Sequence, residues 1–244
     1  MLRTIFIIIF LFIFFTIGQI TLLIGFVINI FNKELCLKFY RSVVKFVLNV
    51  IFILSGYKLV IRNIDNIEYI NKLNEPILFI SNHRSIFDLI VSYIIIDKPI
   101  CFIAKIELSK IPLFSLWMKN IGCLFLDRND IRQGMQVVLN AIEQIKSGNS
   151  VFICPEGTRN KSDDKYDLLE FKEGSFSIAK KTDCRIVPIA ILYEKDVFEK
   201  TFPFITKNNI IFRIDMGYYP NEITNDTQLS KYTYDIVKNM LNQC

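Results

Sequence analysis

Two regimes of hydrophobic patterning meet near residue 56. Residues 4–32 carry no charge and are dominated by Ile, Leu and Phe. A helix of that length, rising about 1.5 Å per residue, reaches roughly 40 Å, more than the ~30 Å hydrocarbon core of a bilayer. The run also exceeds the roughly 7–15 residues of a signal-peptide core, and no small-x-small cleavage site follows it, so a retained membrane segment is expected. Gly18-Gln19 interrupts the run, which leaves open a spanning helix or one buried in a single leaflet. Residues 37–54 are also apolar, but Lys38, Arg41 and Lys45, at spacings of three and four, share one helical face. That predicts an amphipathic helix lying along the membrane or against the first one, ended by Ser55-Gly56.

From Tyr57 onward the chain alternates. Short apolar runs at residues 58–61, 77–80, 100–104, 124–126, 151–154, 186–192 and 210–214 are separated by segments of helical period. The clearest such segment is 131–146, where Val138, Ile142 and Ile145 fall on one side. The alternation predicts an α/β domain with a mixed, largely parallel sheet flanked by helices, preceded by a hydrophobic two-helix membrane-anchoring motif. The expected division is residues 1–56 and 57–244. A last helix over 229–241, with Tyr232, Ile236 and Met240 four apart, is expected to cap the sheet. The polar loop 160–167 is expected to be exposed and mobile, in the manner of a flap.

Charge and cysteine usage narrow the partners. The net charge of +5 is mild, but Lys33, Lys38, Arg41, Lys45, Lys58 and Arg62 stand against the single acid Glu34 beside the apolar segment. That clustering favours lipid head groups over nucleic acid and places the domain on the cytoplasmic face of the inner membrane. The six cysteines form no C-x-x-C pair, and His83 is the only histidine, so neither a metal site nor a disulfide framework is expected.

In open parallel sheets, sites form beyond the carboxyl ends of the strands. Ser81-Asn82-His83-Arg84 follows one predicted strand, Lys105 another, Asp127-Arg128 a third and Pro155-Glu156-Gly157-Thr158-Arg159 a fourth. One base and several cations therefore gather at one edge, a composition suited to an anionic substrate and a proton transfer. His83 and Asp88 are five apart and diverge on an unbroken helix, but Ser85-Ile86-Phe87-Asp88 fits a capping box with Asp for Glu. A helix starting at Ile86 leaves His83 in the preceding loop, where Asp88 can reach back to an imidazole nitrogen. Spacing alone equally allows Asp88 to be only a cap and His83 an ordinary loop residue. No G-x-S-x-G elbow supports Ser81 or Ser85 as a nucleophile. In the fourth segment, backbone N–H groups at Gly157 and Thr158 can hold a phosphate, Arg159 can grip it and Glu156 can orient the arginine. A strand-end turn with a surface ion pair has the same composition.

Asn82-His83-Arg84-Ser85-Ile86-Phe87-Asp88 resembles the N-H-x-S-x-x-D form of the His-x4-Asp motif of glycerolipid acyltransferases. Gly122-Cys123-Leu124-Phe125-Leu126-Asp127-Arg128 looks like their second block, Pro155-Glu156-Gly157-Thr158-Arg159 their third and Val187-Pro188-Ile189-Ala190 their fourth. Phe171-Lys172-Glu173-Gly174 is similar to a further stretch between the last two. The blocks occur in family order across residues 75–195 and match best the 1-acyl-sn-glycerol-3-phosphate acyltransferase group. Cys154 stands where an aromatic residue is usual and Asn160 where serine is usual; both bear on acyl or head-group preference.

The resemblance implies transfer of a fatty acyl group from acyl-CoA or acyl carrier protein to the 2-hydroxyl of lysophosphatidic acid, giving phosphatidic acid. His83 is then the base and Asp88 its partner, and Arg159 binds phosphate with the Gly157-Thr158 turn, helped by Arg128 and Lys105. No cofactor or metal is implied beyond the thioester co-substrate. The alternatives are acylation of another acceptor, such as glycerol 3-phosphate or a different lyso-lipid, and a membrane lipid-binding protein without turnover.

Overall fold

The computed structural model describes residues 1–223 and 228–244 and opens on a helical hairpin of α1 (Leu2–Phe31) and α2 (Lys33–Ser55). Asn32 breaks the run in an extended conformation, and its Oδ1 accepts the Leu35 N–H at 2.9 Å, capping α2. The helices close tightly at Gly25, where an added Cβ would lie 2.2 Å from the Tyr40 ring. The Tyr40 hydroxyl donates to the Leu22 carbonyl at 3.0 Å across the hairpin. Gly56, in the left-handed conformation, ends α2.

The remaining elements alternate as the apolar runs predict: β1 (Lys58–Arg62), α3 (Ile64–Lys72), β2 (Ile77–Ser81), α4 (Ile86–Ile95), β3 (Ile100–Lys105), α5 (Phe114–Asn120), β4 (Leu124–Leu126), α6 (Ile131–Lys146), β5 (Ser150–Ile153), α7 (Ser177–Thr182), β6 (Arg185–Tyr193), α8 (Phe198–Thr201), β7 (Asn209–Ile214) and α9 (Gln228–Asn242). The sheet order is β1-β7-β6-β2-β5-β3-β4. Among the described residues every strand-to-strand pairing is parallel except β6 with β7, so β1 and β7 run opposite to the other five strands. The mixed, largely parallel sheet is thus present, with its reversed strands at one side.

Strand alternation splits the core. Phe79, Phe152 and Phe212 face α4 and the hairpin, whereas Leu78, Ile80, Val151 and Ile186 face α6, α7 and α9. On the first face Trp117 of α5 is wedged between Phe14 of α1, at 5.1 Å between ring centroids, and Tyr40 of α2, at 5.7 Å. Gly18 lets α1 approach the same indole. Farther along, Thr4 Oγ1 accepts the Ile205 N–H at 3.0 Å, and Arg3 lies against Gly56. The helix from Thr4 to Gly18 therefore runs along the sheet domain. Its other face is bare, with Phe12 73% and Phe31 84% exposed. Among the described residues α1 is the one helix long and apolar enough to cross a membrane.

Three local expectations are corrected or refined, and one is met. Arg41 and Lys45, read as facing lipid head groups, bind Asn149 and Asp97, both at 3.0 Å, and so tie α2 to the sheet domain. In α6 Val138, Ile142 and Ile145 do fall on one side, packed on one core cluster, and Val137 and Ala141 complete the buried stripe. In α9 it is Leu229, Thr233, Val237, Met240 and Leu241, and Tyr232 is 42% exposed. A count of apolar residues misses Thr233, whose hydroxyl is satisfied internally by the Leu229 carbonyl at 2.7 Å and meets the Tyr218 hydroxyl at 2.5 Å. The polar loop 160–167 is exposed at Lys161, Asp163 and Asp164, as expected, but it is also tied down: the Arg84 guanidinium donates to the Asp164 carbonyl at 2.9 Å and to that of Ser162. Asn160, almost fully buried, accepts the Ser162 N–H at 2.9 Å and donates to the Asp167 carbonyl at 3.0 Å. The loop's polarity serves its own backbone.

Candidate active site

Neighbouring parallel strands deliver neighbouring loops. β2 and β5 pair with Ile80 opposite Ile153, so residues 82–85 and 155–159 leave the carboxyl edge side by side. Asn82 extends the ladder one step beyond β2: its side chain donates to the Ile191 carbonyl at 2.9 Å and accepts the Ile191 N–H at 2.8 Å. This clamp on β6 fixes where the chain turns into His83.

The capping box at Ser85 forms as the spacing predicts and starts α4 at Ile86. Asp88 Oδ2 accepts the backbone N–H groups of Ser85 at 2.8 Å and Arg84 at 2.7 Å, and lies 2.9 Å from His83 Nδ1. Capping and pairing with the histidine are therefore functions of one oxygen. The other, Oδ1, accepts the Tyr193 hydroxyl at 2.5 Å. Asp88 is fully buried with four donors around it, what an acceptor-only carboxylate requires, and the His83 side chain is 15% exposed. Since Nδ1 is taken by the carboxylate, Nε2 is left as the basic nitrogen. Tyr193 ends β6 and was not singled out from the sequence; its only signal is that it terminates an apolar run at the site edge. Burial first, and then the Asp88 charge, push its hydroxyl well above the usual range, which keeps it a donor.

Glu156 does not orient Arg159. Its carboxylate turns inward, accepting the His83 N–H at 2.5 Å and the Leu169 N–H at 3.0 Å. Burial raises its pKa from 4.5 to about 7, opposed by these two hydrogen bonds. The reason is proximity: two orphan backbone donors lie within reach of the buried carboxylate, and the Arg159 guanidinium finds a different acid, Glu199. Glu156 thus braces the His83 backbone, and the His83 carbonyl accepts the Asn160 N–H at 2.7 Å.

Gly157 has a positive φ of 69°, and an added Cβ there would meet Lys172 Nζ at 2.8 Å. Lys172, from the stretch before α7, therefore lies over the turn. Thr158 and Arg159 are exposed at its tip. Arg159 Nη1 pairs with Glu199 Oε1 of α8 at 2.7 Å. Arg128 lies within electrostatic reach of the same place: burial lowers its pKa, with Cys154 and Glu107 opposing and Arg159 adding to the shift. Lys105 pairs with Glu107 at 2.7 Å, at the end of β3. The sequence-predicted residues therefore separate into a tight group of His83, Asp88 and Glu156, the Gly157-Thr158-Arg159 turn with Arg128 in electrostatic reach, and Lys105, linked to Arg128 through their shared neighbour Glu107. Cys154 lies beneath, its thiol 3.8 Å from the Asn82 carbonyl. Burial, with Asp88 and Glu156 nearby, raises its pKa well above the ordinary value, so it is held as a thiol and is a poor nucleophile. A cavity of about 1270 Å³ opens beside Arg159, between the 160–167 loop and α8.

Fold and site together define an α/β protein with a histidine–carboxylate pair at the open edge of its sheet, next to a cationic turn. A family model described as Acyltransferase matches residues 60–192, and the chain belongs to this family. It is 35% identical over 130 residues to a chloroplastic 1-acyl-sn-glycerol-3-phosphate acyltransferase of Arabidopsis thaliana, covering 53% of this chain and 35% of that one. It is 30% identical over 166 residues to a 1-acyl-sn-glycerol-3-phosphate acyltransferase of Borreliella burgdorferi, covering 68% and 60%. The chain thus matches about a third to three-fifths of the length of these two relatives. The crystal structure of a 1-acyl-sn-glycerophosphate acyltransferase from Thermotoga maritima superposes with a TM-score of 0.80 at 23% identity, over 99% of this chain and 94% of that one. That likeness shows the fold.

Proposed function

We propose that the protein transfers a fatty acyl group from a thioester, acyl-CoA or acyl carrier protein, to the sn-2 hydroxyl of 1-acyl-glycerol 3-phosphate, forming phosphatidic acid. The observation that carries this reading is the contact of His83 Nδ1 with the buried Asp88 at 2.9 Å. His83 Nε2 takes the proton of the acceptor hydroxyl as its oxygen attacks the thioester carbonyl. A C–O bond forms and the C–S bond breaks, and the imidazolium returns the proton to the departing thiolate. Asp88 holds the imidazole and stabilises its cation. A thioester is already activated, so a positioned alcohol and a base suffice without a covalent intermediate, metal or further cofactor. In this reading Arg159 binds the acceptor phosphate, with Arg128, Lys105 and the Gly157-Thr158 turn beside it.

The acceptor and product are lipids, which gives the hairpin a purpose. Contacts at Thr4, Phe14 and Gly18 keep α1 against the sheet domain over about 20 Å of its length. They support a hairpin inserted from one side, at the cytoplasmic face of the inner membrane, with the bare apolar face of α1 in lipid.

The test is thiol release by the detergent-solubilised protein, crossing both donors with lyso-acceptors that carry or lack the phosphate. Turnover with 1-acyl-glycerol 3-phosphate and little with the dephosphorylated acceptor is expected. Equal rates on both would refute the phosphate requirement.

A further inference from the structure

Arg159 is engaged rather than open. Its partner Glu199 uses one oxygen, Oε1, for two donors: Arg159 Nη1 at 2.7 Å and the backbone N–H of Ile86 at 2.8 Å. Ile86 is the first residue of the ten-residue α4, so this N–H is one of the helix-end donors that no intrahelical carbonyl receives. A guanidinium and a helix-end N–H converging on one oxygen are the donors a phosphate oxygen takes. The second oxygen, Oε2, is buried and has no hydrogen-bond partner among the described residues. The contrast is Glu156, a structural carboxylate satisfied at both oxygens. Leaving an acceptor buried and unpaired disfavours the arrangement, which fits a contact made to be released.

The segment carrying Glu199 is held over the site by its two flanking residues. The Phe198 ring packs edge-on against Phe87 of α4 at 6.4 Å, and Lys200 Nζ binds Asp163 Oδ1 of the polar loop at 2.5 Å. All of these groups border the cavity beside Arg159 or the helix it abuts.

We propose that Glu199 is a substrate-mimicking latch. In the substrate-free enzyme its carboxylate fills the phosphate position between Arg159 and the Ile86 N–H, and the acceptor's phosphate displaces it. This rests on the reading of Arg159 as the phosphate-binding residue. A phosphate monoester brings more negative charge and more acceptor oxygens than a carboxylate, so it can displace the latch, whereas a neutral head group cannot. Glu199 thus acts as a specificity residue: it lowers affinity for every acceptor that must enter this position and admits those carrying phosphate. It touches no reacting atom.

The experiment measures acyl transfer by the full chain in mixed micelles against 1-acyl-glycerol 3-phosphate, with inorganic phosphate as competing anion. Glu199→Gln keeps an oxygen for the Ile86 N–H and removes the charge that holds Arg159. Its apparent KM for the phosphorylated acceptor is expected to fall roughly two- to fivefold, the range of a partly exposed ion pair. Inorganic phosphate should inhibit it at correspondingly lower concentration. Glu199→Asp, which retains the charge but withdraws it from both donors, should lie between the wild type and Gln. If Glu199 only braces Arg159, the Gln variant raises KM; a raised or unchanged KM overturns the latch. Arg159→Ala separates the two ideas. If it leaves the acceptor KM unchanged, the phosphate role of Arg159 fails; if it raises KM while Glu199→Gln does not lower it, only the latch fails.

Discussion

Tyr193 and Asp88 lie 105 residues apart in the chain and meet hydroxyl to carboxylate at 2.5 Å. The acid that holds His83 from the first turn of α4 is thus itself held from the end of β6. Tyr193→Phe removes one donor from a fully buried carboxylate, and the expected loss of stability is about 1–3 kcal/mol. A freer Asp88 also orients His83 less well, so kcat should fall by roughly tenfold, the rate equivalent of about 1.4 kcal/mol. Thermal melts and initial rates check both; an unchanged kcat would make Tyr193 a packing residue only.

The double use of Asp88 separates two kinds of variant. His83→Ala is expected to abolish acyl transfer while leaving the fold intact, since the sequence holds no second histidine. Asp88→Asn turns an acceptor-only group into one that presents N–H to N–H, so both activity and melting temperature should drop. Ser85→Ala loses only the hydroxyl end of the capping box and should cost about 1 kcal/mol, with a much smaller effect on rate. Thiol release and calorimetry on the three variants test this ordering. Substantial turnover by His83→Ala would refute the base assignment.

Glu156 predicts a pH dependence of stability. Its carboxyl ionises near 4.5 in the unfolded chain and near 7 in the folded protein, because it is buried. Between those values the folded state holds a proton the unfolded state has released, so stability falls as pH rises from about 4.5 to 7. The contribution is roughly 3 kcal/mol, complete above the folded value. Glu156→Gln stays neutral throughout and should remove this slope, although its amide can accept only one of the two N–H groups that Glu156 accepts. Urea midpoints of both proteins across pH 5–8 provide the measurement. Parallel profiles would show that the group titrates normally.

Gly25 is expected to be indispensable to the hairpin. Any side chain there enters the Tyr40 ring, so Gly25→Val should cost about 1–3 kcal/mol by overpacking and weaken retention on lipid vesicles. The same substitution in a Tyr40→Ala background should cost much less. A double-mutant cycle reads the coupling directly, and additive costs would place the strain elsewhere.

Much of this architecture was legible without coordinates. The seven apolar runs became the seven sheet strands among the described residues, and Gly56 ends α2 as expected, whereas the Asn32 cap that starts α2 four residues early was not anticipated. Ser85 and Asp88 could be paired from their spacing because a capping box is closed within four residues. The misreadings share one origin. The buried face of α9 includes Thr233, Glu156 serves His83 rather than Arg159, Arg41 and Lys45 bind the sheet domain, and the 160–167 loop is anchored by Arg84. Thr233 found its partner one helical turn back, at the Leu229 carbonyl, and in the others a polar group found its partner far along the chain or at an orphan backbone group that no periodicity reveals.

By itself the sequence determined two apolar amino-terminal helices, the alternating elements and the edge at which His83, Asp88 and the cations gather, since hydrophobic period and capping are local properties of the chain. Only the tertiary structure decided that Asp88 is gripped by Tyr193, that Asn82 clamps β6 and that Glu199 lies on Arg159. Those contacts depend on the order of strands in the sheet, and that order follows from how whole faces pack, not from any short stretch of residues.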